Sequence, residues 1–286
     1  MIPAAFEYEA PQTIAEALSL LAQRPDEAKI LAGGHSLIPA MKLRLAQPQL
    51  LIDIARIKEL AYIREEAGEI RVGALTTHYQ IESADRLQQI CPLLPQCAAS
   101  IGDVQVRNKG TIGGSVAHSD PAGDWPAAML ALGAEMVAVG PGGERIIKAD
   151  DFFVDLLTTA LKPTEILREI RIKIPTGKFG QAYQKVHHPA SGFAIVGVAV
   201  HLQIGADGSC TAAGVGVTGA AAKAYRAAEV EKALSGKQLD EATIAAASAH
   251  ATDGIDVNGD LSASAEYRRH LAQVHTRRAL ARAAQV

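Results

Sequence analysis

Apolar residues in the first 55 positions come in short runs that switch between a helical period and a strand period. Ile14, Leu18 and Leu21 share one face of a helix that Thr13 can cap, with Glu16 placed to close a capping box. Lys29 to Ala32 reads as a strand, Ser36 can cap a short helix carrying Leu37, Met41 and Leu45, and Leu50 to Ile54 is a second apolar strand. Glu69 to Ala74 alternates like a strand, and Thr76 to Ile101 reads as broken helices punctuated by Pro92 and Pro95. Asp124 opens a helix through Leu132, where Pro126 falls in the first turn and its missing N–H costs little. Glu135 to Val139 and Glu144 to Lys148 form a hairpin around Gly140-Pro141-Gly142-Gly143, and Ile166 to Ile174 reads as a further strand.

The pattern changes near Pro175-Thr176-Gly177. Beyond it, Gly180 to Val186, Phe193 to Ile204 and Ser209 to Thr218 read as strands, the last two joined through Gly205-Ala206-Asp207-Gly208. Three helices follow, over Lys223 to Leu234, Leu239 to Ala251 and Ala263 to Ala284, the last with Tyr267, Leu271 and Val274 at helical spacing. The chain is therefore expected to be α+β, with a boundary near residue 176 and a C-terminal antiparallel sheet covered by three helices.

Composition narrows the function classes. With 286 residues, 48% of them hydrophobic, the chain can bury one large or two medium cores. A formal net charge of −3 gives no footprint for nucleic acid. No signal peptide or membrane span is legible, which points to a cytoplasmic protein. Cys91, Cys97 and Cys210 lack a CxxC spacing and cannot supply the four thiolates of an iron–sulfur cluster, so they read as buried structural thiols. The nine histidines include no HExxH, and no metal site is expected, the pair His187-His188 included.

Two diglycine loops carry the chemistry: Ala32-Gly33-Gly34-His35-Ser36, and Thr111-Ile112-Gly113-Gly114-Ser115 after Arg107-Asn108-Lys109-Gly110. Adjacent glycines remove two Cβ atoms, so backbone N–H groups can approach an anion, and the neighbouring hydroxyls add donors. The first pair sits at a strand-to-helix junction, where orphan N–H groups favour an anion. Neither loop matches GxGxxG or GxxxxGK[ST], so a nucleotide bound here needs a different fold.

Together with Gly102 to Gly110, Asp120-Pro121-Ala122-Gly123-Asp124, Met1-Ile2-Pro3 and Glu266-Tyr267-Arg268, these loops make the whole chain resemble the FAD-binding medium subunit of molybdenum hydroxylases, of the carbon monoxide dehydrogenase type. The resemblance implies a PCMH or vanillyl-alcohol-oxidase type FAD-binding domain over 1–176, built of two α/β subdomains (about 1–55 and 56–176). A C-terminal domain over 177–286 would follow. It implies one noncovalent FAD whose pyrophosphate rests on Ala32, Gly33, Gly34, His35 and Ser36 and on Thr111, Ile112, Gly113, Gly114 and Ser115. Asp124, Leu167 and Lys185 would also contact FAD, Ile101 would pack near it, and Phe193 would stand beside the isoalloxazine. No residue is implied as an acid or base. The partners implied are a small subunit with [2Fe-2S] clusters and a large subunit with the molybdopterin cofactor, in a dimer of heterotrimers that passes electrons to an external acceptor.

Each residue also has a plainer role that the sequence leaves open. Ser36, Thr111 and Ser115 can cap helices or turns, Asp124 can be an N-cap, and His35 can matter through its backbone alone. Lys185 can be a solvated charge, Phe193 a core aromatic, and Trp125 is taken as packing. Two rival functions stand beside the resemblance: a self-contained flavin oxidase or dehydrogenase, and a module that has lost FAD. Ser115 and Ala122-Gly123 depart from the common pattern of the relatives, which leaves the substrate of the complex open.

Overall fold

The computed structural model describes residues 1–285. The N-terminal part is a parallel three-stranded sheet in the order Glu7–Glu9, Leu50–Asp53, Ala28–Leu31. Parallel neighbours need crossovers, and helices Ile14–Gln23 and Leu37–Lys42 lie in the connections. Thr13 caps the first helix by accepting from the Glu16 N–H, but the Glu16 carboxylate accepts from Gln12 N–H rather than closing the expected box on Thr13. Ile52, Ile54, Ala17 and Leu21 pack with Leu75 and Ile166 of the next unit, so this small sheet shares its core with its neighbour.

The second unit centres on a five-stranded antiparallel sheet, in the order Ile63–Glu66, Glu69–Gly73, Ile166–Lys173, Glu135–Gly140, Gly143–Lys148. The strand Ile63–Glu66 is absent from the sequence expectation because it has one apolar residue and lies at an edge. The expected broken helices are His78–Glu82, Asp85–Ile90 and Leu93–Ala99. Two further short helices follow, Val104–Lys109 and Ile112–His118. The second diglycine therefore lies in a helical first turn and not in an open loop.

Helix Asp124–Ala131 is buried along its entire length. It lies between the five-stranded sheet and a four-stranded antiparallel sheet ordered Lys178–His187, Ala194–Ile204, Cys210–Thr218, Tyr225–Arg226. Gly214 and Gly216 make that approach possible, because a Cβ on either would overlap the carbonyl oxygen of Ala131 or Ala127. Tyr225–Arg226 forms an edge strand where a helix was expected from Lys223, and that helix starts at Ala228. Helices Ala228–Leu234, Glu241–Ser248 and Ala265–Ala283 accompany this sheet. Arg268, 7% exposed, ties the last helix to the sheet by donating to the carbonyls of Ile195 and Gly219.

Candidate functional site

Ala32 follows the strand Ala28–Leu31, and Gly33, Gly34, His35 and Ser36 lead directly into the helix Leu37–Lys42. Gly34 has φ +78°, a left-handed conformation that L side chains rarely adopt. Among the described residues, the backbone N–H groups of Gly33, Gly34, His35 and Ser36 donate to no acceptor in the chain. Ser36, expected as a cap, makes no capping hydrogen bond, so its hydroxyl is also uncommitted. His35 is exposed and its side chain makes no hydrogen bond.

The second glycine pair is held differently. Ile112 N–H donates to Thr76 O, Gly113 N–H to Ala74 O and Ser115 N–H to Thr111 O, while the Thr111 hydroxyl caps Gly114 N–H at 3.1 Å. Its backbone donors are thus already spent, and the two loops are not equivalent halves of a clamp. What the second pair contributes is close approach. A Cβ on Gly113 would stand 2.6 Å from Ala74 O, and one on Gly114 would come 3.5 Å from Ala32 Cβ. A Cβ on Gly33 would stand 2.5 Å from Lys109 O and 2.7 Å from Gly110 Cα. The structure therefore brings the two loops into contact, with the uncommitted donors on the first and the half-buried Ser115 hydroxyl on the second.

Leu167 is buried in the core, one residue before Arg168, whose carbonyl accepts from Ala74 N–H beneath Gly113. Ile112 is likewise a core residue, fully buried. Ile101 packs partly against the same core, and its carbonyl accepts from the Arg107 guanidinium, which also pairs with Glu82 at 2.7 Å. Gly192 lies against Gly102, so the turn carrying Phe193 sits beside Ile101; Phe193 is 41% exposed and stands just before its strand rather than in it.

Asp124 and Lys185 are a buried ion pair and not a cap with a solvated charge. Lys185 Nζ lies 2.9 Å from Asp124 Oδ1, with side chains 1% and 5% exposed, and it also donates to Ser100 O at 2.9 Å. Tyr183, which the sequence did not single out, donates its hydroxyl to Asp124 at 2.6 Å. Burial pushes the Asp124 carboxyl up, while Lys185 and the Tyr183 hydroxyl pull it down. The Lys185 ammonium is spent within the protein, so it steadies Ser100 and the Ile101 turn and is not exposed to a ligand.

Trp125 does more than pack. Its indole N–H donates to Nδ1 of His78 at 3.1 Å, a partner 47 residues away that no local sequence signal reveals. Burial, helped by nearby His35 and Arg107, lowers His78 from 6.5 to about 4. Between these two values the unfolded chain binds a proton that the folded chain excludes, so folding stability must fall as pH drops from 6.5 toward 4. The loss amounts to about 3 kcal/mol at the acid end. Denaturant unfolding across this range should show the slope, and His78→Gln should flatten it.

Cys91, Cys97 and Cys210 are buried and unpaired. Burial pushes Cys91 up to about 12 and raises Cys97 as well. Among the described residues, no helix is long and apolar enough to cross a membrane.

A parallel α/β unit and an antiparallel α/β unit meet at a glycine junction with uncommitted N–H donors, beside a unit of sheet and helices. The family described as "FAD binding domain in molybdopterin dehydrogenase" matches residues 4–176, and the "CO dehydrogenase flavoprotein C-terminal domain" matches residues 181–283. The chain belongs to this family of molybdopterin dehydrogenase flavoproteins. It is 40% identical over 283 residues to the carbon monoxide dehydrogenase medium chain of Afipia carboxidovorans, covering 99% of this chain and 98% of the relative. It is 36% identical over 284 residues to the 6-hydroxypseudooxynicotine dehydrogenase complex subunit alpha of Paenarthrobacter nicotinovorans, covering 99% and 96%. The crystal structure of a Cu,Mo-CO dehydrogenase superposes with a TM-score of 0.96 at 40% identity, covering 99% of each chain.

Proposed function

We propose that this chain holds one FAD noncovalently and serves as the electron-exit subunit of a heteromeric molybdenum hydroxylase. The observation that supports the reading is the contact between the two glycine loops, with the four uncommitted backbone N–H groups of Gly33, Gly34, His35 and Ser36 beside it. That donor set suits a diphosphate, because oriented backbone N–H groups bind anions without a counter-charge. Ala32 to Ser36 would hold the diphosphate through their backbone donors, with Thr111 to Ser115 packed against them and offering the Ser115 hydroxyl, while the buried Leu167 and Ile112 and the half-buried Ile101 support the loops. Asp124 and Lys185 fix the Ser100–Ile101 turn, and Phe193 offers its exposed face to the flavin ring. FAD, when bound, supplies the redox chemistry; the chain binds and orients it and no side chain is assigned as an acid or base.

The partners proposed are a small subunit carrying [2Fe-2S] clusters and a large subunit carrying the molybdopterin cofactor, as a dimer of heterotrimers in the cytoplasm. Relatives named as dehydrogenases of carbon monoxide, caffeine and glyceraldehyde share this subunit type over nearly their whole length. Substrate choice is accordingly assigned to another chain. The domain division proposed is 1–176, with subdomains of about 1–55 and 56–176, and 177–286.

Gly114→Asp tests the reading. Its Cβ would stand 2.8 Å from Thr111 Oγ1 on the side facing Ala32, adding a carboxylate to the anion cradle. The purified complex should lose about nine-tenths of its flavin while keeping its subunit composition, since a like charge beside a bound anion costs roughly a factor of ten or more. Flavin retained at the unsubstituted level, or a coloured complex in which the flavin resides on another subunit, would overturn the proposal.

A further inference from the structure

His78 stands at the meeting point of the two glycine loops, yet the FAD reading gives its ring no task. It opens the helix His78–Glu82, donates its backbone N–H to Gly110 O at 3.0 Å, and is only 3% exposed. An indole N–H is a donor only, so the bond from Trp125 requires a bare Nδ1 and leaves the ring hydrogen on Nε2. Nε2 lies 2.8 Å from where a Gly110 Cβ would stand, and Gly110 is the residue that Gly33 packs against. Among the described residues, Nε2 has no hydrogen-bond partner, but it is not among the side-chain atoms sealed from solvent without one, which are His275 Nδ1 and Thr276 Oγ1. A nearly buried ring therefore keeps one unpaired donor beside the glycine junction. An acceptor lodged there would complete its hydrogen bonding in place of water.

We propose that His78 donates its Nε2–H to the diphosphate bound where the two loops meet, with Trp125 fixing the tautomer that makes the donation possible. The inference rests on the FAD reading above. The geometry suits a neutral donor. Burial first, and then the neighbouring Arg107, already paired with Glu82, and His35, disfavour a positive charge on His78. Because Trp125 directly follows Asp124, the same indole ties the Asp124–Lys185 pair to the loop junction, so the two ends of the proposed site share one core residue.

The test uses the intact complex with its flavin removed and three probes: FAD, ADP, which keeps the diphosphate, and riboflavin, which lacks it. His78→Phe keeps a ring in the slot but removes the donor. It should weaken FAD and ADP by about tenfold or more, as expected for a lost hydrogen bond to a charged group, and leave riboflavin unchanged. His78→Gln places an amide N–H near the Nε2 position and should stay within about threefold for all three probes. His78→Asn keeps an acceptor for Trp125 but no donor toward Gly110, so it should behave as His78→Phe does and covers the case in which the phenylalanine variant fails to fold. Affinities for FAD and ADP unchanged in both donorless variants overturn the proposal, as does equal loss of riboflavin, which would mark a packing effect. If the unsubstituted complex takes up neither FAD nor ADP, the FAD reading itself falls.

Discussion

Replacing Gly33 with valine is expected to strip the complex of its flavin while leaving it assembled. The added Cβ would stand 2.5 Å from Lys109 O, 2.7 Å from Gly110 Cα and 3.1 Å from Lys109 C, all backbone atoms that cannot swing aside like the end of a flexible side chain. The segment Lys109–Thr111 must therefore withdraw from Ala32–Ser36, and the donors lose their common target. If the displacement removes about 2–3 kcal/mol of binding, a usual cost of forcing atoms into a packed contact, affinity falls by about 30- to 150-fold. The flavin-to-protein ratio of the purified complex, read from visible absorbance, measures this. Gly68→Ala is the matching control: Gly68 has φ +79° with open space around it, so the change strains a remote turn and should leave flavin content intact. A valine variant with full flavin would mean that loop contact is not what builds the cradle.

The parts of the site that were legible in the sequence are the local ones. Glycine pairs flanked by hydroxyl residues, the first at a strand-to-helix junction, announce close backbone approach, and the structure does bring Gly33 against Gly110 and Gly114 toward Ala32. What could not be read was how each pair is used. Two adjacent glycines argue against a helix by propensity, yet Thr111 caps Gly114 and Ala74 anchors Gly113, so tertiary contacts override the local preference and spend the N–H groups. The edge strand Ile63–Glu66 and the two-residue strand Tyr225–Arg226 are too polar or too short for periodicity to detect. His78 with Trp125, and Lys185 with Asp124, are pairings of side chains 47 and 61 residues apart, which a single sequence does not encode in any spacing. The strand period shows that Lys185 alternates; it does not show that the inward position holds a carboxylate waiting for it.

Lys185→Met is expected to destabilise the fold rather than merely weaken a ligand contact. The substitution leaves Asp124 buried with the Tyr183 hydroxyl as its one remaining side-chain donor, and an uncompensated buried charge typically costs about 3–5 kcal/mol. For a domain of this size such a loss lowers the thermal midpoint by roughly 10 °C. The carboxyl escapes part of the penalty by taking up a proton, because burial already pushes it up and the lysine that pulled it down is gone. A folded-state value above the unfolded one means that the folded form binds the extra proton. The variant is therefore most stable in acid and loses stability as pH rises through the raised value, opposite in sign to the trend that His78 imposes on the unsubstituted protein. Asp124→Leu in the same chain removes the orphaned charge, and the double variant should recover most of the midpoint, since a buried pair replaced by apolar groups of similar volume is often neutral. Recovery of stability need not restore flavin. Lys185 also donates to Ser100 O beside Ile101, and the double variant lacks that anchor, so its flavin affinity should remain below that of the unsubstituted protein. Were Lys185 instead a free cation facing the cofactor, Lys185→Met would lower flavin content with no change in the flavin-free midpoint, and the double variant would rescue nothing.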